Sequence, residues 1–326
     1  MKLPRRNFLH LVAGAAALPA VSRVAWAQTY PSRPVRLIVP FAPGGPTDVF
    51  ARLIAQKFSA EFGRQFYVEN IAGGAGNIGT AQAARAAPDG YTILVSVSAF
   101  VTNPAFLSKA PYDPIKDFAP VALPVASAIA VVIHPSVPAR TLAELVALIR
   151  ANPGKYSYAS GGAGAQPHLA FEQFRVSLGL DVVYVPFTGA GPATAAVVAN
   201  QVPIAIGSLP PAMPQIKAGS LRALVLTSKS RSQKLPDIPT AAEAGYPILE
   251  GDQWLGVFLP AAAPEEIIAT LHRKIVELVA QPDMKERLDA LDFYSVESTP
   301  KQFAERIKVE FETWRKVIRD ANIKAE

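Results

Sequence analysis

Two glycine-rich stretches carry the clearest chemistry in this chain of 326 residues: Phe41-Ala42-Pro43-Gly44-Gly45-Pro46-Thr47-Asp48 and Ser160-Gly161-Gly162-Ala163-Gly164-Ala165. Each follows a strand signal and precedes a helix signal. Glycine lets the backbone turn its N–H groups toward a ligand, and the following helix adds unpaired N–H groups and the positive end of its dipole. The chemistry of such a pair is capture of an anion without Lys or Arg. A hydrogen bond to a charged group contributes about 1.5–3 kcal/mol, so two or three donors on each of two carboxylates reach micromolar affinity, about −8 kcal/mol, after the costs of association. One such loop alone reads as a tight turn, whereas two in separate strand–helix series point to a cleft. Thr47 is a candidate donor to the ligand. Asp48 belongs with the cleft residues, although its place in the first helical turn reads as mainly structural.

The other constellations point away from catalysis. Gly74-Ala75-Gly76-Asn77-Ile78-Gly79 satisfies G-x-G-x-x-G between a strand and a helix, but the next strand ends in Ser96-Val97-Ser98-Ala99 with no acid to hold a ribose. The stretch therefore reads as cleft lining or packing, and no cofactor is expected. Beyond the N-terminal segment the His residues are His134, His168 and His272, with no pair at metal-ligand spacing. His168, at a helix start, is within reach of a ligand, although a helix-terminal His is more often a solvated cap. Ser160 lacks the G-x-S-x-G elbow of a nucleophile. Asp113, Asp117, Glu172, Asp237 and Glu243 show no carboxylate partner and read as solvated faces. No Cys is present, which removes disulfides, thiolate chemistry and Cys-based zinc sites.

The elements that must position the two loops alternate, as in mostly parallel sheets covered by helices. Strands are expected at 35–39, 65–70 and 91–97, with helices over 49–58 and 79–87. Phe118 to Ile133 is a long, almost uncharged crossing strand. A second series follows. Thr141 with Glu144 opens a helix to about Arg150 at capping-box spacing. Strands are then expected at 156–159, 182–185 and 203–207, with helices over 168–178 and 192–199. Strand signals at 221–228 and 254–259 bring the chain back, and helices beginning at Pro264, Pro282 and Pro300 close it. The expected fold is α/β with two lobes: lobe I from 28–128 and 226–326, lobe II from 129–225, and two crossing segments as hinge.

The formal charge of +6 includes Lys2, Arg5, Arg6 and Arg23 of the N-terminal segment, and the remainder carries about +2. No basic cluster interleaved with aromatics marks a nucleic-acid partner. Residues 1–27 read as an export signal: cations, the apolar run Leu9 to Val21, then Ala25-Trp26-Ala27 with cleavage after Ala27. Arg5-Arg6-Asn7-Phe8-Leu9 is similar to the twin-arginine pattern.

Several motifs in order resemble those of the tripartite tricarboxylate transporter substrate-binding proteins, the Bug family. They are Val39-Pro40-Phe41-Ala42-Pro43-Gly44-Gly45-Pro46-Thr47-Asp48, Gly76-Asn77-Ile78-Gly79, Pro88-Asp89-Gly90-Tyr91, and Tyr158-Ala159-Ser160-Gly161-Gly162-Ala163-Gly164. Val185-Pro186-Phe187 with Gly189-Ala190-Gly191-Pro192, Lys217-Ala218-Gly219, and Leu235-Pro236-Asp237-Ile238-Pro239-Thr240 continue the match. The resemblance implies a monomeric two-lobed periplasmic binding protein, type II-like, that delivers a small carboxylate to membrane permease subunits and is not an enzyme. It implies ligand contacts from the backbone of both loops and from Ser98, Thr102 and Pro186-Phe187-Thr188. A sensor partner, or less readily a hydrolase or transferase on a similar fold, is the alternative. The chain departs from the family at Ala165, Thr188, Pro203 and around Phe100, which suggests a less polar cleft suited to an aromatic or aliphatic acid.

Overall fold

The computed structural model describes residues 30–290 and 292–323. The export-signal reading of residues 1–27 lies outside them. The strands are β1 (Val35–Val39), β2 (Phe66–Asn70), β3 (Thr92–Val97), β4 (Phe118–Ile133), β5 (Ser157–Ser160), β6 (Val183–Pro186), β7 (Ile204–Ser208), β8 (Arg222–Leu226), β9 (Asp252–Pro260) and β10 (Phe293–Ser295). The helices are α1 (Pro46–Phe62), α2 (Asn77–Ala84), α3 (Ala99–Phe106), α4 (Leu142–Ala151), α5 (Gln166–Leu178), α6 (Ala190–Val198), α7 (Leu209–Lys217), α8 (Glu265–Val279), α9 (Pro282–Ala290) and α10 (Pro300–Asp320).

The sheet runs β2-β1-β3-β9-β4-β7-β5-β6, with β8 and β10 also on β4. Each half contains a parallel set, β2-β1-β3 in one and β7-β5-β6 in the other. β3 is buried at every position, the pattern of a strand covered on both faces. The halves are not parallel throughout. β4 is 16 residues long and serves both, pairing antiparallel with β9 over its first part and with β7 and β8 over its second. β4 thus meets the second parallel set directly and antiparallel at β7, and reaches the first through β9, which is antiparallel to both β4 and β3. Where the chain returns, Thr227 ties the crossing together: its N–H donates to Ile129 O at 2.8 Å and its hydroxyl to Gly251 O at 2.5 Å.

Two helices had no sequence signal, and both contain proline. Pro104 sits inside α3 and Pro214 inside α7. A helix-interior proline orphans the carbonyl four residues back. For Pro104 that carbonyl is Phe100 O, and the Tyr112 hydroxyl donates to it at 3.0 Å, so tertiary structure repairs what local propensity forbids. Thr141 accepts from Glu144 N, as its spacing suggests, and the structure adds a full capping box of Thr299 with Gln302 before α10.

In the first half, α10 lays Phe303 onto the sheet, where it is fully buried edge-on to Trp254 at 5.2 Å and beside Phe258 at 5.2 Å. The Trp254 indole N–H donates to Glu310 of the same helix at 2.9 Å. Deleting so large a buried ring costs about 3–5 kcal/mol. Phe303→Ala is therefore expected to lower the stability read from a urea melt by that amount, and to loosen α10 before the second half.

Candidate functional site

The first loop leaves β1 and enters α1. Gly44 takes a left-handed φ of 83° and Gly45 caps the helix without a side-chain bond. The Gly44 N–H donates to Asp48 Oδ2 at 2.9 Å, so this donor is spent inside the loop. Asp48 is buried and also accepts from Arg52 Nε at 3.0 Å and Asn70 Nδ2 at 2.9 Å, while Asn70 Nδ2 reaches Phe41 O at 3.1 Å. Burial raises the Asp48 carboxyl, but Arg52, the Gly44 N–H and Asn70 together outweigh it and hold the group below its ordinary value. Asp48 is the brace of the loop, as its place in the first turn suggests.

The second loop repeats this construction. Gly164 has φ 80°, Ala165 caps α5, and the Gly164 N–H donates to His168 Nδ1 at 3.1 Å. In both loops a left-handed glycine gives its N–H to the side chain four residues on, at the third position of the helix. His168 is not the solvated cap expected from sequence. It is 4 % exposed, with its ring 4.1 Å from that of Tyr184, because α5 turns its first-turn face onto β5 and β6. Glu172 is likewise no solvated face: it is buried, accepts from the Tyr158 hydroxyl at 2.6 Å, and forms a two-point pair with Arg175 at 2.9 and 2.7 Å. The Ser160 hydroxyl lies 3.2 Å from that of Tyr184, and Ser160 O accepts from Phe187 N at 3.1 Å.

Both loops face one cavity of about 40 Å³. Phe41, Ala42, Gly45 and Thr47 reach it from the first loop, Gly161 and Ala165 from the second. Pro43, Gly44 and Asp48 stand behind the first loop, while Ser160, Gly162, Ala163, Gly164 and His168 form the frame of the second. Ser98 and Thr102 are buried beside the cavity with hydroxyls unpartnered among the described residues, and Pro186, Phe187 and Thr188 lie outside its lining. The remaining walls were not anticipated. They are the start of α6 (Gly189, Ala190, Gly191, Pro192), the end of β3 with the start of α3 (Val97, Ala99), the end of β7 (Gly207, Ser208), and Gln253 on β9. The only sequence hint was Gly189-Ala190-Gly191-Pro192, a third glycine stretch before a helix.

Five helices, α1, α3, α5, α6 and α7, thus begin at the cavity, and among the described residues none that lines it carries a charged side chain. Each N-terminus is worth roughly half a positive charge, fading within its first turn, so the site attracts an anion with no cation in it. A larger open hollow of about 750 Å³ near Arg231 and Asp252 has no such convergence, and those two groups are paired with Glu243 and Arg306. Of the sequence departures, only Ala165 lines the cavity: Phe100 stacks on Phe258 at 4.1 Å in the core, Thr188 is exposed, and Pro203 precedes β7 at the end away from Ser208. Gly74 to Gly79 packs instead: a Cβ on Gly162 would lie 2.6 Å from that of Ala75, and one on Gly79 2.6 Å from Ile71 O.

Strand ends, helix N-termini and a shared crossing strand define a solute-binding receptor of the two-lobed periplasmic binding protein class. Residues 50–323 match the model of the tripartite tricarboxylate transporter family receptor, and the chain belongs to that family. It is 35% identical over 300 residues to protein BugT of Bordetella pertussis, covering 91% of this chain and 92% of that one. Among solved structures, the periplasmic binding protein BugD superposes with a TM-score of 0.86 at 32% identity, over 91% of this chain and all 100% of BugD. MatC of Rhodopseudomonas palustris with bound malate gives 0.85 at 32%, over 89% of this chain and 100% of MatC.

Acceptance of the Gly164 N–H at Nδ1 puts the imidazole proton on Nε2 and requires neutral His168. Burial pushes this imidazole down to about 4 from 6.5, Glu172 pulling it up and Arg175 pushing it further down. The unfolded chain takes up the proton first, so stability is intact above about pH 6.5 and declines by about 3 kcal/mol as pH falls toward 4. Melting curves across this range should show that decline in the wild type. His168→Asn, whose Oδ1 accepts the same bond and does not titrate, is expected to flatten it; an unchanged slope would remove His168 as its source.

Proposed function

We propose that this receptor captures a small organic carboxylate in the periplasm and hands it to the permease subunits of its transporter. The observation that carries the reading is the convergence of five helix N-termini on a cavity lined by no charged side chain. The two loops share a cavity of about 40 Å³, so they grip a single carboxylate between them rather than one apiece. The donors are the N–H groups of Ala42, Gly45 and Thr47 in the first loop and of Gly161 in the second, with Ser98 and Thr102 behind; the Ala165 N–H, like that of Gly44, is spent inside its own loop, on Gly162 O at 3.2 Å. The malate of MatC, a carboxylate ligand, accords with this chemistry.

The chain divides as lobe I, 28–128 with 226–326, and lobe II, 129–225, hinged where β4 and the Thr227 to Gly251 segment cross. Export would follow the N-terminal signal, with cleavage after Ala27. The protein acts as a monomeric receptor and not as an enzyme. Incubation with each bound acid is therefore expected to return it unchanged.

A carboxylate at a hundredfold excess over its dissociation constant adds about 2.7 kcal/mol of stability. In a thermal-shift screen, small carboxylic acids are therefore expected to raise the melting temperature, and sugars and amines to leave it unchanged. A shift from a sugar or amine alone would defeat the anion reading. Gly162 has φ 136°, and a side chain there would also meet Ala75. Such strain costs about 1–3 kcal/mol, so Gly162→Val is expected to weaken acid binding at least tenfold by calorimetry while both halves stay folded. Unchanged affinity would reduce the second loop to a mere turn.

A further inference from the structure

The wall of the cavity farthest in sequence from the two loops contains two neutral polar groups that have no structural duty. Ser208 ends β7 and caps α7, yet its hydroxyl makes no capping bond; it is 2 % exposed and unpartnered among the described residues. Gln253, at the start of β9, is 8 % exposed and turns its amide to the same cavity wall. Both line the cavity. Their proximity follows from register: Ser208 pairs with Ile129 and Gln253 with Ser127, two positions apart on β4. A buried hydroxyl without a partner carries a desolvation cost that a ligand group can relieve.

The wall is poor in other donors. α7 opens Leu209-Pro210-Pro211, and two prolines remove two of the N–H groups that a helix start normally offers. A carboxylate placed here would meet a hydroxyl, an amide and fewer helix N–H groups than the two loops offer, which leaves more of its lost hydration uncompensated. A hydroxyl or carbonyl oxygen, by contrast, is fully matched, since Ser and Gln each donate and accept. The cavity is small as it stands, about 40 Å³, and a hydroxyl or oxo group demands less widening of it than an aromatic ring.

We propose that Ser208 and Gln253 are specificity-determining residues, and that the receptor takes small monocarboxylic acids bearing a hydroxyl or oxo group rather than aromatic acids or dicarboxylates. This rests on the carboxylate reading above and separates the chain from the malate-bound MatC. Calorimetry on the full mature chain with two matched series tests it: propionate, lactate, pyruvate and malonate; butyrate, 3-hydroxybutyrate, acetoacetate and succinate. In at least one series the hydroxy or oxo acid is expected to bind at least about tenfold tighter than both the unsubstituted acid and the diacid, the penalty of leaving a buried polar pair unmatched. Ser208→Ala is expected to bring the ratio of substituted to unsubstituted acid to within about threefold of unity, and Gln253→Leu to do the same. Should Gln253→Leu fail to fold, Ser208→Ala alone decides. Equal binding of substituted and unsubstituted acids, tighter binding of the diacid, or an unchanged ratio in Ser208→Ala overturns the inference and leaves the carboxylate receptor standing. If no acid in either series binds, the inference falls, and if a sugar or amine binds instead, the carboxylate reading falls with it.

Discussion

Backbone dipoles in place of cations are the constraint on which the rest of the structure depends. A helix start attracts an anion only within about its first turn, so several starts must be brought to one point before their sum is useful. The fold achieves this because β1, β3, β5 and β7 all end at the same level, each feeding a helix, and β6 sends α6 there as well. Ligands of open α/β sheets sit where strands end and the connections diverge. Here the adjacent strands β9 and β4 supply that place, since one parallel set ends on β9 through β3 and the other on β4 through β7.

Weak partial charges bind well only if their positions are fixed before the ligand arrives, because ordering a loop on binding subtracts from affinity. Each loop is fixed by the same device, a left-handed glycine donating to the side chain four residues later: Gly44 to Asp48 and Gly164 to His168. The acceptors differ in charge for a physical reason. Asp48 is negative beside an anion site, and Arg52 at 3.0 Å cancels most of that field. His168 stands next to Glu172, already satisfied by Arg175 and Tyr158, so a neutral imidazole serves without adding a second charge. One brace is insensitive to mild acid and the other is not.

Much of this was legible in the residues. The order of strands and helices, the long crossing strand at 118–133, the Thr141 cap and both glycine loops follow from local rules of periodicity, capping and turn chemistry. What escaped is non-local. α3 and α7 contain prolines that argue against a helix, and α3 depends on a hydroxyl from Tyr112. Ser208 was hidden because the helix after it was hidden. Gln253 was hidden because nothing in its own neighbourhood says that β9 runs antiparallel, beginning at the cavity rather than ending there. His168 and Glu172 were read as solvated because burial of a helix face against two particular strands is a tertiary fact. The departures at Phe100 and Pro203 looked like cleft changes only until the register put them elsewhere.

The glycines of the second loop also answer to a demand that sequence alone assigns to the ligand. A Cβ on Gly162 would strike Ala75, and one on Gly164 would lie 2.9 Å from both Asn103 Oδ1 and the Phe106 ring. These neighbours belong to the first half of the chain, and Asn103 Nδ2 in turn donates to Ala75 O at 2.8 Å. The second loop is therefore pressed against the first half by its bare backbone. Glycine gives such a loop two properties at once: N–H groups that can turn inward to an anion, and a surface flat enough for the other half to lie on it. If the loops grip a carboxylate as proposed, closing the halves and holding the ligand use the same atoms, so a ligand that holds the loop in place also holds the halves together. A receptor built this way needs no separate latch, because the energy of anion binding and the energy of closure cannot be spent independently.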